Sequence, residues 1–351
     1  MANQSSPSVI GNTQSFSETV ENINIIYAKY LVDWITKNSA MRLFYQVRNV
    51  GPNAGMNFDV SESFTGSGVA HETGEGDDPF QGDISPGYSK SVLVRERTYS
   101  LPLTWLFQYH NKYPEQEVNM IRGVAESCAK RMEYDMAAPF TYCTATTYTN
   151  IDGRVVTIST GDGLSFANAS HTVRNSSSTY RNIVANNPQL SAGSLELAEN
   201  LFTQQMIDNN GQQISIVPDM LVLATDKTTY NVAAKIIIST SPVDAPNEGV
   251  HNPYNGAYRI VRAFAIDSTF TVGGKGFTVD TSKSKQWMLV DSSNLGLYMF
   301  VTKEPSVMAP STSNGGTVFL TGTSTWKANT VYEPVALDPR FACVSLGTGA
   351  A

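Results

Sequence analysis

The sequence predicts an α+β fold with extended parts that leave the body of the subunit, and three observations carry that prediction. One long helical pattern runs through "YPEQEVNMIRGVAESCAKRMEYDMAAP". From Lys235 onward the chain is mainly strand-like, in "YRIVRAFAI", "GFTVD", "WMLVD", "GLYMFV", "GTVFLTG" and "FACVSLG". Between two extended segments lies "GSGVAHETGEGDDPFQGDISPG" (Gly66 to Gly87), which holds five carboxylates and one histidine in a context too rich in glycine and proline for helix or strand.

Composition bounds the function. With 351 residues and 41% hydrophobic content the chain has enough apolar surface for a real core. Lys and Arg number 24 against 31 Asp and Glu, a net charge of -7, which argues against holding nucleic acid by neutralising phosphates. Cys128, Cys143 and Cys343 are odd in number and form no CxxC pair, so a reducing cytoplasm is expected and neither a disulfide framework nor a structural zinc site is indicated. The start, "MANQSSPSVIGNTQSFSE", lacks the basic and apolar runs of a signal peptide, and no stretch reaches the ~20 apolar residues of a membrane span. Without secretion, the acceptor patterns at Asn168 and Asn175 carry no weight.

In chain order, Val20, Ile23, Tyr27, Tyr30, Leu31 and Trp34 recur at helical spacing and predict a first amphipathic helix over Ser17 to Lys37, ended by Asn38 and Ser39. "MRLFYQVRNV" and "SKSVLVRERTYSLPLTW" read as extended, with the acidic stretch between them. A hairpin normally closes in about two to five residues, so a connection this long has a function of its own or lacks order. In the long helix, Pro114 suits the first turn and Glu115 and Glu117 suit the positive end of the dipole. Val118, Ile121, Val124, Ala125, Cys128 and Met132 form one apolar stripe, Glu126 and Lys130 an i,i+4 pair, and Pro139 is expected just past the end. The helix should pack on one side. Next come short strands and turns at "GRVVTIST", a helix from about Ser194 to Asn209, and a buried strand in "ISIVPDMLVLATD". No internal repeat and no linker cuts the chain into independently folding domains.

Candidate chemistry is sparse. Glu72, Glu75, Asp77, Asp78 and Asp83 are hard oxygen donors, but their order does not match a calcium loop, and His71 has no second histidine or cysteine nearby. "GLSFA" approaches the nucleophile elbow at Ser165, with His171 following, yet the glycine after the serine is missing and the histidine comes too soon. "VGGKGFTVD" has no Ser or Thr after Lys275 and is flanked by strand, so a turn is expected rather than a phosphate loop. His110 and His251 stand singly among polar and aromatic residues. The residues call for no cofactor and no metal. What stands out is extended parts: a polar arm, a projecting hairpin and the loop "STSPVDAPNEGVHNPYNG". Ordering each residue costs ~1 to 2 kcal/mol of backbone entropy, which contacts with neighbouring subunits would offset.

The order of these parts resembles the major capsid protein of tailed bacteriophages, of the Hong Kong 97 phage type, and more narrowly the head subunits of Mu-like phages. Tyr88 to Pro139 resembles that family's hairpin return and spine helix; "DGLSFANASH" its Leu-Phe-His stretch; "LSAGSLELAENLFTQQMIDNNGQQISIVPDMLVLATD" its helix and buried strand; and "WKANTVYEPVALDPRFACVSLG" its closing segment. The resemblance implies an N-terminal arm and first helix over 1–49, an extended hairpin loop over 50–104, and a spine helix with peripheral domain over 105–190. A mainly axial domain would take 191–330 and a closing segment 331–351. It implies a non-enzymatic subunit that self-associates into pentamers and hexamers in a virion head assembled in the bacterial cytoplasm. Its partners would be a scaffolding protein, a portal protein and, where present, a decoration protein; it would enclose double-stranded DNA and touch no membrane. The arm starts almost at Met1, so a scaffolding segment would be a separate protein or already removed. Some relatives cross-link through Lys-Asn isopeptide bonds, and although Lys90 lies near the loop, no motif carries that chemistry over. In this reading Glu72, Glu75, Asp77, Asp78, Phe80 and Asp83 lie over an adjacent subunit, whose Arg95, Arg97, Lys130 and Arg131 are the candidate receivers. A tail or tube subunit and, from another class, a hydrolase using Ser165 or the loop acids stand as alternatives.

Overall fold

The computed structural model describes residues 25, 29–30, 39–51, 55–61, 70–79, 81, 87–104, 114–240, 251–270, 277–308 and 323–349. They fall into two compact units interleaved along the chain: Met1–Lys37, Glu96–Ala129 and Glu304–Thr330 form one, and Asn38–Arg95, Lys130–Lys303 and Val331–Ala351 the other. The first helix expected over Ser17 to Lys37 lies mostly outside the described residues; Ile25, Lys29 and Tyr30 are helical. His110, the strand expected at "GTVFLTG" and most of the loop "STSPVDAPNEGVHNPYNG" lie outside them too.

In the larger unit the body is a sheet of four short strands, β9 (Met220–Leu223), β10 (Arg259–Arg262), β13 (Trp287–Val290) and β16 (Ala342–Ser345), in the order β10-β9-β13-β16. β10 runs parallel to β9, while β13 is antiparallel to both β9 and β16. Side chains alternate between two cores. Met220, Val222, Met288, Val290, Ala342 and Val344 face one with helix α1 (Pro114–Thr141). Leu221, Leu223, Trp287, Leu289 and Cys343 face the other with α2 (Ala192–Asn200) and α3 (Lys227–Ile238). Covered on both faces, β9, β13 and β16 are buried at every position, which is why β9 and β13 are unbroken apolar runs and β16 is apolar up to Ser345, whose hydroxyl donates to the Pro188 carbonyl.

Helix α1 corrects two expectations. Pro139 sits inside it, not beyond it. The ring removes one backbone donor, so the carbonyl of Asp135 loses its helical partner, yet the turn is held by packing: Phe140 lies 5.9 Å from Phe44 and 5.0 Å from Phe166, ring centre to ring centre. Nor does the helix pack on one side throughout. Val124, Ala125 and Cys128 form the expected buried stripe, but from Met132 to Phe140 every residue except the half-buried Tyr134 is buried. Glu126 accepts a hydrogen bond from Arg122 at 2.8 Å.

Other elements also differ from the sequence reading. Of "MRLFYQVRNV" only β1 (Gln46–Asn49) is extended; Met41–Phe44 forms a 3-10 turn that buries Met41 and Phe44. α2 starts on a reciprocal cap between Ser191 and Ser194, continues as a π turn over Leu201–Gln205 and stops there, short of Asn209. The Asp208 carboxylate then accepts from the amides of Asn210 and Gln212, both at 2.8 Å, and turns the chain instead. α3 was not expected: Lys235 to Ile238 are helical, and Asp226 caps the helix by accepting from the Thr229 amide at 2.8 Å.

A second sheet has the order β1-β14-β15-β4, with β4 at Arg95–Thr104, β14 at Leu297–Met308 and β15 at Thr323–Ala336. Two-stranded pairs complete the fold: β2 (Asn57–Ser61) with β3 (Ser89–Leu93), β5 (Thr147–Thr149) with β6 (Val155–Thr157), β7 (His171–Thr172) with β8 (Thr179–Tyr180), and β11 (Ser268–Phe270) with β12 (Phe277–Val279). In the smaller unit Lys327 pairs with Glu96 at 3.1 Å, and Ser306 donates to Asn329 at 3.0 Å.

Gly296 marks the tightest approach of backbone to a glycine among the described residues of the larger unit. Its carbonyl accepts from the amides of Leu337 and Asp338 at 3.0 and 3.2 Å, and a β-carbon on it would run into the Asp338 carbonyl. Gly296→Ala should therefore lower stability by about 1–3 kcal/mol, read as a shifted denaturation midpoint of the unassembled subunit.

Candidate assembly surface

The hairpin predicted to project is built from β2 and β3, paired from Asn57 opposite Leu93 to Ser61 opposite Ser89. One face is apolar: Val60 and Val92, with Val94 just beyond, join Tyr298, Phe300, Val335 and Leu337 in a small core, and Phe58 meets Phe300 edge-on at 5.3 Å. Residues 62–88 connect the two strands. Within that connection residues 70–79 are described, and all are exposed. Asp77 donates its amide to the Gly74 carbonyl at 3.1 Å and Gly76 takes a positive φ, so a tight turn presents Glu72, Glu75, Asp77 and Asp78 to solvent. Among the described residues none of these four carboxylates is in an ion pair. Phe80 and Asp83 lie outside the described residues.

The base of the hairpin is fixed by a buried polar cluster. Arg340 is sealed from solvent; its Nη2 donates to Asn209 Oδ1 at 2.6 Å and to Tyr88 Oη at 3.1 Å, and its Nη1 lies 3.6 Å from Asp338 Oδ2. The guanidinium also sits 5.2 Å from the ring centre of Tyr88 and 5.3 Å from that of Tyr180. Tyr88 in turn donates to the Thr172 carbonyl at 2.7 Å, and Arg174 reaches the Gly87 carbonyl at 2.7 Å. Two residues on, Lys90 donates to the Ser159 carbonyl. Burial pulls the Lys90 ammonium down to about 8, partly countered by the Glu333 carboxylate. The returning strand is thus held at three points to the segment 159–174 and at Tyr88 to the closing segment.

The cations named from the sequence have partners within their own chain. Arg95 pairs with Glu333 at 3.4 Å, and Arg131 with Asp135 at 3.0 Å and Asp152 at 3.1 Å. Tyr332 donates to the other oxygen of Asp135 at 2.9 Å. Arg97 is half-buried and Lys130 exposed, and both also have interactions. Sequence reasoning missed two buried groups that fix this region. Glu133, on α1, accepts from the amides of Ala40 and Met41 at 3.0 Å each and from the Ser39 hydroxyl, which pins the chain where it enters the larger unit. Burial raises its carboxyl above the usual range despite those donors. In the sequence Arg340 is one residue of the closing segment. Its partners Tyr88 and Asn209 lie 252 and 131 residues away, beyond the reach of any local pattern.

Ser165 and His171 do not form a nucleophile and base. His171 is buried with Nδ1 2.7 Å from Asp162 Oδ2 and Nε2 3.1 Å from Asn182 Oδ1. Asn182 donates from its amide nitrogen to the Phe166 carbonyl at 2.7 Å, so its oxygen faces the ring and both imidazole nitrogens meet acceptors. Ser165 is buried and donates to the Ala167 carbonyl at 3.1 Å. Among the described residues no group of three His, Cys, Asp or Glu side chains is placed to hold a metal ion, and no helix is long and apolar enough to cross a membrane.

No protein-family model matches the sequence, and no curated protein matches it. Solved structures do match its fold. The capsid structure of the cyanophage P-SCSP1u is 13% identical with a TM-score of 0.52, over 90% of this chain and 89% of that one. The mature capsid of bacteriophage PhiM1 is 13% identical with a TM-score of 0.50, over 88% and 86%. The chain has the α+β fold of phage capsid proteins.

Two predictions test the anchored base. Arg340→Met leaves Asp338 buried beside a lost cation and should cost about 3–5 kcal/mol in urea denaturation of the unassembled subunit. Lys90, depressed to about 8 in the fold against its ordinary 10.5, binds fewer protons folded than unfolded between those values. Its contribution to stability should therefore rise with pH across that window. Denaturation midpoints measured at several pH values should show the rise in the parent chain and a flatter profile in Lys90→Met.

Proposed function

We propose that this chain is a major capsid protein that self-associates into pentamers and hexamers, forming an icosahedral head around double-stranded DNA. The observation that carries the reading is the shared fold: it extends over about nine-tenths of this chain and of the P-SCSP1u capsid chain. A tail or tube subunit would not be expected to share a capsid fold end to end, and a Ser165 hydrolase is disfavoured because His171 faces Asp162 and Asn182. The narrower kinship with Mu-like head subunits rests on the order of sequence motifs.

In this reading α1 is the spine helix and residues 62–88 are the arm that lies over an adjacent subunit. The domains follow the sequence divisions, with 105–190 mainly peripheral and 191–330 mainly axial. Four exposed carboxylates on an arm whose base is held by buried hydrogen bonds suit contact outside the subunit. Arg95, Arg97, Lys130 and Arg131 of the neighbour would receive them alongside the interactions they already make. A scaffolding protein, a portal protein and, where present, a decoration protein complete the assembly. The net charge of -7 suits a container that encloses DNA without gripping its phosphates.

Asp77→Lys combined with Asp78→Lys should prevent closed shells while leaving the subunit folded. Electron microscopy and circular dichroism of the purified protein check this. Normal shells from that variant would refute the arm's role. Failure of the parent chain to form shells, with or without a scaffold, would refute the capsid reading.

A further inference from the structure

Two surfaces of opposite charge in the larger unit do not neutralise each other. The first lies at the outer strand β10, which is hydrogen-bonded within its sheet to β9 alone. Lys227 opens α3, and Tyr230 follows almost one turn later. The Lys227 Nζ stands 4.6 Å from the Tyr230 ring centre and the Arg262 guanidinium 5.1 Å from it. Arg262 is also steadied by donating from Nη2 to the Thr225 carbonyl at 3.1 Å. Both cations are exposed, as is Arg259 on the same strand. Among the described residues neither Lys227 nor Arg262 is in an ion pair with a carboxylate. Charged groups on an outer strand keep it from pairing indiscriminately, and cations held over a ring lose less freedom on meeting a partner.

The second surface is on α2. Glu196 and Glu199 are three residues apart, where like charges on a helix repel. Leu197 between them is 52% exposed. Glu199 is half-buried, and burial, then the Glu196 charge, raises its carboxyl above the usual range. Burial and the same two carboxylates push the nearby Tyr254 phenol up to about 12. Among the described residues neither carboxylate is in an ion pair. Within one chain the arrangement is unfavourable, and a cation arriving from outside would relieve it.

We propose that copies of this chain associate head to tail, with the Lys227–Tyr230–Arg262 cluster of one copy seated against Glu196, Leu197 and Glu199 of the next. The contact is heterologous: two different patches on one unit, which make no ion pair with each other within a copy, meet between copies, and repetition closes a ring when the rotation divides the circle. A second copy fits the cations better than nucleic acid does, because two or three charges release too few counterions to hold phosphates on a chain of net charge -7. The inference rests on the shell-forming reading above and names a contact within it.

The test is reciprocal charge exchange in the full chain. K227E/R262E and E196K/E199K should each lower the yield of assembled particles by about tenfold or more, because each sets like charges face to face. The chain carrying all four substitutions should recover assembly toward the parent level. Circular dichroism establishes that each variant is folded, and light scattering with electron microscopy reads assembly. As a second measurement, E196C/K227C should form disulfide-linked multimers on oxidation, whereas either single cysteine variant should not. Parent-like assembly of both charge-reversed variants, or lack of recovery in the four-substitution chain together with no cysteine-linked multimers, overturns the proposal and leaves the shell reading standing. A parent chain that stays monomeric at all concentrations overturns both.

Discussion

A guanidinium sealed from water constrains the larger unit more than any other single group. Taking a charge out of solvent costs several kcal/mol even after relaxation, so Arg340 is tolerable only where a carboxylate, an amide oxygen, a hydroxyl and two aromatic faces converge on it. Those partners come from Tyr88, Tyr180, Asn209 and Asp338, on segments remote from one another in sequence. The charge is therefore matched only when the whole unit is in register. Tyr88 immediately precedes the returning strand β3, so the base of the acidic connection inherits the rigidity of the body while the carboxylates stand exposed.

Helix α1 follows the same logic with the opposite sign of charge. Apolar side chains alone would let a helix slide or rotate by a turn at small cost, since one packing is much like another. Glu133 and Asp135 remove that freedom. Glu133 is satisfied only by the amides at Ala40 and Met41 with the Ser39 hydroxyl, and Asp135 by Arg131 and Tyr332. A shift of one turn would leave Glu133 buried without these donors and take Tyr332 from Asp135, a penalty exceeding any packing gained. The helix can then tolerate Pro139 near its end, because its position is set by groups on either side of the lost hydrogen bond.

How much of this was legible in the sequence depends on whether the information is local. The strands β9, β13 and β16 could be read because both faces of their sheet are covered, so every residue but Ser345 is apolar. The long helix could be read from its stripe and from Pro114. α3 escaped because "TTYNVAAKIII" is rich in β-branched residues, and the capping aspartate that fixes its start looks like any loop acid. β2 escaped because five residues with one fully buried side chain carry little periodicity. Of the candidate surface, the exposed acids were visible as composition, whereas Tyr88, Glu133 and Arg340 were not. A buried ion or phenol is recognisable only from its partners, and apart from Asp338 beside Arg340 those lie more than eighty residues away.

The separation between anchored base and exposed charge bears on how a shell of such subunits would be held together. A single exposed ion pair contributes about 0–1 kcal/mol, too little to hold two copies at dilute concentration. That weakness is useful before assembly, since a chain of net charge -7 with unneutralised patches repels its own kind unless opposite patches are aligned. Alignment needs each patch to be fixed relative to the core of its unit, and the buried hydrogen bonds supply that fixity. Once several copies close on themselves, every later contact forms at high effective concentration, so modest pairs sum to a container that does not come apart. Strong individual contacts would instead trap misplaced copies, so weak charge pairs on rigid supports suit assembly better than tight ones.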